Sequence, residues 1–224
     1  MPRIALSSDE LQAVRNRAIA AAKRLFADGG YEAMSFRKIA AAIDYSKSGL
    51  YRYFPKGHDE VLAAIRIQAF DTLNERNWRA YESATDPLHG LRLLGDAFFK
   101  FADDHPTEFQ LLFVFAHGDW ESFEELTERI ERAWEPLERT LQDAVEGKLL
   151  EGNPQVMARA HYAAMLGMMT VYLSEEDDPL LSLECLRESL MGLLLRGATP
   201  LERLTEMELE KSRSTTRRKK GTSS

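Results

Sequence analysis

Apolar residues recur along most of the chain at the three- and four-residue spacing of amphipathic helices. No segment shows the convincing two-residue alternation that is typical of a half-buried β-strand. Ser7 and Glu10 have the spacing of a capping box, and the helix after them should run to about Ala27 and stop at Gly29-Gly30. The pattern therefore predicts an all-α protein.

Helical periodicity resumes after Pro55 and continues through the rest of the chain. Caps, glycines and prolines divide it into helices at about residues 59–82, 87–104, 106–117, 121–147, 155–174 and 179–196. Pro136 lies inside the fourth of these, where we expect a kink or a break. The last fourteen residues, 211–224, contain no apolar side chain, so we expect a disordered tail.

Two very short helices are predicted between residues 35 and 54. Ser35 and Ser46 are placed to cap them, and Asp44 lies between them, where a residue that tolerates left-handed backbone is useful. Leu50 and Phe54 share one face and should pack inward, because a helix this short is unstable without neighbours. The opposite face carries Lys47, Ser48, Gly49, Tyr51 and Arg52. This arrangement predicts a helix-turn-helix whose outward face suits phosphates and base edges.

The same segment resembles the DNA-binding domain of the tetracycline-repressor (TetR) family. The resemblance lies in Ile39-Ala40, in the run from Tyr45 to Pro55, and in the preceding stretch from Ile19 to Tyr31. Three positions depart from the family pattern. Asp44 replaces the usual glycine of the turn, and Gly49 replaces the usual hydroxyl residue of the recognition helix. The segment from Pro55 to Asp59 is one residue longer, with His58 nearest the place of a common lysine.

The resemblance implies a domain organisation and a function. It implies a helix-turn-helix DNA-binding domain at residues 1–57 and a helical-bundle regulatory and dimerisation domain at residues 58–210, followed by the tail. It also implies a ligand-responsive transcriptional regulator, expected to be a repressor, that binds a palindromic operator in double-stranded DNA as a homodimer and is released by a small-molecule effector. The expected DNA contacts are Arg37, Ser46, Lys47, Ser48, Gly49, Tyr51, Arg52 and His58.

One further stretch, Ala102 to Phe113, resembles a segment in a subgroup of TetR-type C-terminal domains. That subgroup often carries Trp-His-Gly further along the chain. The nearest place here, Met165-Leu166-Gly167, keeps only the glycine.

Aromatic and methionine residues are dense in the predicted body. Most should form its core, and some should also line an effector pocket, since methionine adapts to varied ligands and aromatic rings offer large apolar contacts. The candidates for ligand binding are Phe113, His117, Trp134, His161, Tyr162, Met165 and Met168. Because no strongly basic cluster is evident here, we expect a small, largely hydrophobic effector rather than a polyanion.

The last two predicted helices are apolar on more than one side, which predicts a second partner for them. Small residues such as Gly167 and Gly192 are interleaved among the apolar ones. In the TetR family the last two helices pair with those of a second subunit in a four-helix bundle. The candidates for the dimer interface are Met169, Leu173, Leu186 and Leu190.

The formal net charge of −7 is unevenly distributed. Residues 1–57 hold 10 Lys and Arg against 5 Asp and Glu, residues 58–210 hold 13 against 31, and the tail holds 6 against none. A basic N-terminal module on an acidic body fits local contact with phosphates. The basic tail either adds weak DNA attraction or is simply a solvated terminus.

Other functional classes have little support. The sequence has no glycine-rich phosphate loop beside a strand, and its histidines lack the partners of a metal site, so we expect no catalytic residues, metal or cofactor. A single cysteine, no apolar run of membrane-spanning length and no signal-peptide core favour a cytoplasmic protein. The alternatives are a helical enzyme with a helix-turn-helix-like module and a protein-interaction scaffold.

Overall fold

A computed structural model describes residues 7–115, 122–174 and 182–198, and within these ranges it contains helices and no strand. The α-helices are α1 (Ser8–Ala33), α2 (Phe36–Ala42), α3 (Lys47–Leu50), α4 (His58–Glu82), α5 (Pro87–Asp104), α6 (Pro106–Phe109), α7 (Glu124–Glu146), α8 (Pro154–Ser174) and α9 (Leu183–Ala198). A π-helical segment, Gln110–Val114, follows α6 directly. The predicted all-α fold is confirmed.

Helix α1 begins and breaks where its sequence signals predict. The Ser7 hydroxyl accepts a hydrogen bond from the Glu10 amide at 3.2 Å, and the Glu10 carboxylate accepts one from the Ser7 amide at 2.9 Å. The carboxylate therefore has a lowered pKa, because hydrogen bonds from Ser7 favour its charged form. At the other end Gly30 has φ 69°, a left-handed conformation that interrupts the helix before a last turn reaches Ala33.

Helices α2 and α3 form the predicted helix-turn-helix. Ser35 accepts a hydrogen bond from the Lys38 amide at 3.4 Å, and Ser46 accepts one from the Gly49 amide at 3.0 Å. Asp44 has φ 63°, so the turn does require left-handed backbone. The inward faces are fully apolar and bury Phe36, Ile39, Ala40, Ile43, Leu50 and Phe54.

The described residues form two compact units. The first contains those up to Arg79 together with Ala97–Trp134, and the second contains Ala80–Asp96 together with those from Glu135 onward. The domain boundary predicted after residue 57 lies inside the first unit, because α6 packs on α1, where Lys23 and Glu108 form an ion pair at 2.9 Å. As a division between DNA-binding and regulatory functions, that boundary stays a prediction.

The segment predicted as one helix over residues 106–117 changes its geometry after Phe109. The Phe115 amide donates to the Gln110 carbonyl at 2.8 Å, which is the i to i−5 bond of a π-helix. Residues 116–121, and with them His117, lie outside the described part of the chain.

In the second unit, α7 continues through Pro136, so the predicted interruption is not a break. Helix α8 buries one stripe, made of Ala158, His161, Met165 and Met169. Helix α9 is described from Leu183, and the predicted disordered tail at residues 211–224 lies outside the described residues.

Candidate nucleic-acid interface

Two arginines of α1 donate hydrogen bonds to backbone carbonyls of the helix-turn-helix. Arg17 donates to the Ile43 carbonyl at the end of α2, at 2.8 Å. Arg15 donates to the Tyr53 carbonyl and forms an ion pair with Glu60 at 2.8 Å, while its guanidinium lies 4.4 Å from the centre of the Phe54 ring. Each contact joins residues distant in sequence, so local patterns gave no sign of it. These two charges hold the scaffold together.

Most of the predicted recognition residues are exposed to solvent. Arg37, Ser46, Lys47, Ser48, Tyr51 and Arg52 are all exposed, and Gly49 is half-buried. Within the described residues neither Arg37 nor Lys47 forms an ion pair. The outward face therefore presents cations and hydroxyls that suit contacts with phosphates and bases.

Tyr51 is held in place although 43% of its surface is exposed. Its ring packs against Phe36 at a centroid distance of 4.8 Å. On the other side lies Gly57, which has φ 69°, and a Cβ atom there would come within 3.2 Å of the Tyr51 ring. The tyrosine is therefore positioned by the fold before any ligand arrives.

Gly49 has a local role in the recognition helix. Its amide bonds to the Ser46 hydroxyl, and a Cβ atom at position 49 would lie 3.1 Å from that same oxygen. The Ser46 hydroxyl also lies 3.1 Å from the Ser48 hydroxyl. The glycine thus leaves room for the cap that begins α3.

His58 is the predicted contact that is placed differently. Its ring is half-buried and meets Tyr31 edge-on at 5.9 Å, and its Nε2 atom is buried with no hydrogen-bond partner among the described residues. The nearby Lys56 is exposed but bonds within its own chain, donating from Nζ to the Ser122 carbonyl at 2.7 Å. By contrast Lys38, which was not among the expected DNA contacts, is exposed beside Arg37 on α2. Its position next to Arg37 in the sequence was the signal that could have added it to the expected contacts.

Two family models match the chain. The model described as "Bacterial regulatory proteins, tetR family" matches residues 18–65, and the one described as "Tetracyclin repressor-like, C-terminal domain" matches residues 91–192. Together they cover more than half of the sequence. The chain belongs to the TetR family. The second description does not test the Trp-His-Gly subgroup, which stays a prediction.

Solved structures agree with this TetR assignment. The TetR family transcriptional regulator PfmR from Thermus thermophilus is 26% identical, with a TM-score of 0.64 over 80% of this chain and 97% of that one. A TetR/AcrR-family regulator from Thermobifida fusca is also 26% identical, with a TM-score of 0.61 over 82% and 97%. AibR, solved with isovaleryl coenzyme A and operator DNA, is 24% identical, with a TM-score of 0.64 over 81% and 98%. No curated protein matches the sequence.

The TetR chain is thus a helix-turn-helix, DNA-binding transcriptional regulator, in a family that binds ligands. None of the helices in its described ranges is long and apolar enough to cross a membrane. The described residues contain no group of three or more His, Cys, Asp or Glu side chains that could hold a metal ion.

The ligand candidates of this TetR chain lie in both units. In the first unit the half-buried Phe113 ring lies 5.0 Å from Phe109, 5.6 Å from Phe98 and 6.2 Å from Phe70, measured between centroids. Trp134 is half-buried in the same unit. The predicted effector pocket stays a prediction.

The second unit contributes the candidates of α8. His161 is 4% exposed, and its Nε2 atom has no hydrogen-bond partner among the described residues. Burial lowers the pKa of His161 to about 4 and raises the pKa of Tyr162 to about 12, so both are uncharged at neutral pH. Met165 is buried, and Met168 is half-buried. Side chains of this kind offer apolar surface and neutral polar groups.

The candidates for the TetR dimer interface differ in burial. Met169 is 1% exposed within its own chain, so it packs inside the unit, whereas Leu186 and Leu190 are half-buried. The side chain of Leu173 lies outside the described part of the structure. Apolar surface remains elsewhere on the same helices, at Val171 of α8 and at Leu193 of α9, which is 73% exposed.

Proposed function

We propose that this TetR-family regulator is a repressor, binds a palindromic or near-palindromic operator as a homodimer, and is released by a small, largely hydrophobic effector. The observation that carries the proposal is the division among the basic side chains of residues 1–57. Arg15, Arg17 and Lys56 are engaged within the protein, while Arg37 and Lys47 face outward.

The DNA contact would be made by the outward face of α2 and α3. Exposed cations supply the salt-dependent attraction to phosphates, and the fixed ring of Tyr51 supplies an apolar surface beside them. A two-fold dimer would place two such faces about 34–36 Å apart, or at a multiple of that distance, along the duplex. A palindromic operator follows from that symmetry.

Selection of bound fragments from genomic DNA would test this directly and yield the operator. Lys47→Ala should then weaken binding to the recovered operator and reduce the slope of log K against log salt by about one for each phosphate that the variant no longer touches. Lys100→Ala is the control, because Lys100 is an exposed lysine of α5 that pairs with Asp104 and is not among the predicted DNA contacts. Equal effects of the two substitutions would contradict the assignment of α3 as the recognition helix.

The dimer would be formed by the outward faces of α8 and α9. Gly167 and Gly192 support this, since a Cβ atom at either position would meet nothing within 4 Å and a partner helix could approach closely. Exposed Val171 and Leu193 supply the apolar surface.

Light scattering should give about twice the chain mass of 25.5 kDa. Leu193→Glu should yield monomers, because a charge buried without a partner costs several kcal/mol. Leu11→Glu makes the same change at a less exposed leucine of α1 and should leave the dimer intact. A wild-type monomer that binds the palindrome tightly would disprove the dimer.

The effector would be neutral and mostly apolar. In the second unit His161 and Tyr162 are uncharged, and Met165 and Met168 offer apolar surface. AibR binds isovaleryl coenzyme A, but at 24% identity that likeness concerns the fold alone.

A panel of neutral apolar compounds, with free coenzyme A as the polyanionic comparison, would be added to the complex with the recovered operator. A true effector should lower operator affinity roughly 5- to 150-fold, and the operator should lower effector affinity by the same factor. Release by coenzyme A but by no neutral compound would refute the proposed effector class.

A further inference from the structure

Gly57 lies at the junction between α3 and α4. It is buried, although the two residues before it, Pro55 and Lys56, are exposed. Its amide donates to the Phe54 carbonyl at 2.8 Å, and its carbonyl accepts from the Val61 amide at 3.3 Å. The glycine therefore closes the turn after α3 and precedes the first turn of α4, so hydrogen bonds on both sides fix its backbone.

The ring of Tyr51 occupies the space beside this glycine. A Cβ atom at position 57 would lie 3.2 Å from the Cε1 atom of Tyr51, 3.5 Å from its hydroxyl oxygen and 3.7 Å from its Cζ atom. The first of these distances is shorter than ordinary van der Waals contact, so the ring would have to shift. The ring also packs on Phe36, which belongs to the buried core, at 4.8 Å between centroids. It would therefore yield on its solvent side.

The part of Tyr51 that approaches Gly57 is the hydroxyl end, which is also the part that can bond to DNA. A phenol can donate one hydrogen bond, and tyrosine hydroxyls are among the groups that bond to phosphate oxygens of DNA. An O–H···O bond spans only about 2.5–3.0 Å and weakens steeply when it is misaligned. A small displacement of the ring would therefore remove such a bond.

We propose that Gly57 is a positioning residue for DNA recognition: its missing side chain leaves the Tyr51 hydroxyl where it donates to a phosphate of the operator. Gly57 acts through Tyr51 and makes no side-chain contact of its own. The proposal rests on the proposed function, in which α2 and α3 face the DNA, and adds a residue that lies outside both helices. It also gives a role to the segment from Pro55 to Asp59, which is one residue longer than the TetR pattern.

A second glycine has the same backbone requirement without the ring. Gly30 also has φ 69°, but a Cβ atom there would meet nothing within 4 Å. Alanine is strained at both positions, because L-residues rarely adopt this conformation. Gly30→Ala therefore reports the effect of backbone strain alone, whereas Gly57→Ala adds the contact with Tyr51. Gly57→Asn is a second test variant, since asparagine tolerates left-handed backbone better and still carries the Cβ atom.

Operator affinity would be measured for full-length variants that urea unfolding shows to be folded, with the fragment recovered by genomic selection as the probe. Gly57→Ala and Gly57→Asn should lower the affinity roughly 10- to 150-fold, the usual effect of losing a hydrogen bond to a charged group. The slope of log K against log salt should stay as in the wild type, because the displaced hydroxyl carries no charge. Gly30→Ala should bind the operator as the wild type does.

The same substitution in a Tyr51→Phe background separates positioning from a purely structural role. Phenylalanine keeps the ring atoms nearest Gly57 but has no hydroxyl to displace, so Gly57→Asn should cost no further DNA affinity there. A glycine needed only for the shape of the turn would weaken binding by the same factor in both backgrounds, and that result would overturn the proposal. It would also be overturned if Gly30→Ala weakened binding as much as Gly57→Ala.

Two other outcomes distinguish this proposal from the proposed function. If Tyr51→Phe binds the operator as tightly as the wild type while Lys47→Ala binds more weakly, the hydroxyl contact is wrong but the DNA-binding face stands. A wild type that binds no operator would disprove the proposed function, and the positioning role of Gly57 with it.

Discussion

The burial of His161 makes the stability of this protein depend on pH, and variants at this position can separate its contribution from those of other groups. Its folded pKa is about 4, against 6.5 as the ordinary value, because burial disfavours the imidazolium. Between these two pH values, the histidine therefore binds a proton in the unfolded chain but not in the folded chain. The stability that neutral His161 contributes is present in full above about pH 6.5 and is lost as the pH falls toward 4.

The size of this effect follows from the two pKa values. One pKa unit corresponds to 1.36 kcal/mol, so the full loss from His161 is about 3 kcal/mol, and about 2 kcal/mol of it should appear between pH 7 and pH 5. Because the residue is almost fully buried, solvent screening reduces this figure little. Carboxylates also titrate in the lower part of this range, so the comparison must be made between variants.

Urea unfolding at pH 7, 6 and 5, at one fixed protein concentration, would measure this loss in the wild type and in His161→Phe. The phenylalanine variant lacks the titrating group, so its free energy of unfolding should fall by about 2 kcal/mol less over this range. His161→Gln keeps a polar group without the charge and should show the same shallower dependence. Identical pH dependence in all three proteins would show that His161 is not buried in its neutral form.

Two further predictions concern the backbone. Asp44→Gly should raise the free energy of unfolding by about 1 kcal/mol, because glycine adopts the left-handed conformation at φ 63° without strain. Asp44→Ala should lower the free energy of unfolding. Thermal unfolding would measure both variants, and a destabilising glycine would contradict this reasoning. Arg66→Met should cost about 1–3 kcal/mol in urea unfolding, because the Leu111 and Phe115 carbonyls both lose a buried, charged donor. Unchanged stability would show that these bonds contribute nothing.

The features of the fold that were predictable from sequence are those set by a few neighbouring residues. The cap at Ser46 and the left-handed turn at Asp44 involve contacts three residues apart or less, so their signals lie in one short stretch. The carbonyls of the π-helical turn bond to Arg66, which is 45 residues before Leu111. Helical periodicity alone therefore extended α6 as an ordinary helix.

The candidate site shows the same limit. The outward placement of Lys47 and Tyr51 followed from helical spacing once Leu50 was assigned to the core. The inward turn of His58 could not follow, because it depends on Tyr31, which is far earlier in the chain. Arg15 was invisible for the same reason, since it bonds to a carbonyl 38 residues away.

Some cations bond to the helix-turn-helix backbone and others face outward, and this separation has a consequence for evolution. Arg15 and Arg17 hold the helix-turn-helix from behind, while Arg37 and Lys47 form no ion pair within the described residues. At the interface proposed above, substitutions at the outward positions would alter which operator is preferred while leaving the scaffold intact. A lineage of such proteins could acquire new target genes by drift at a few surface codons, without first having to recover lost stability.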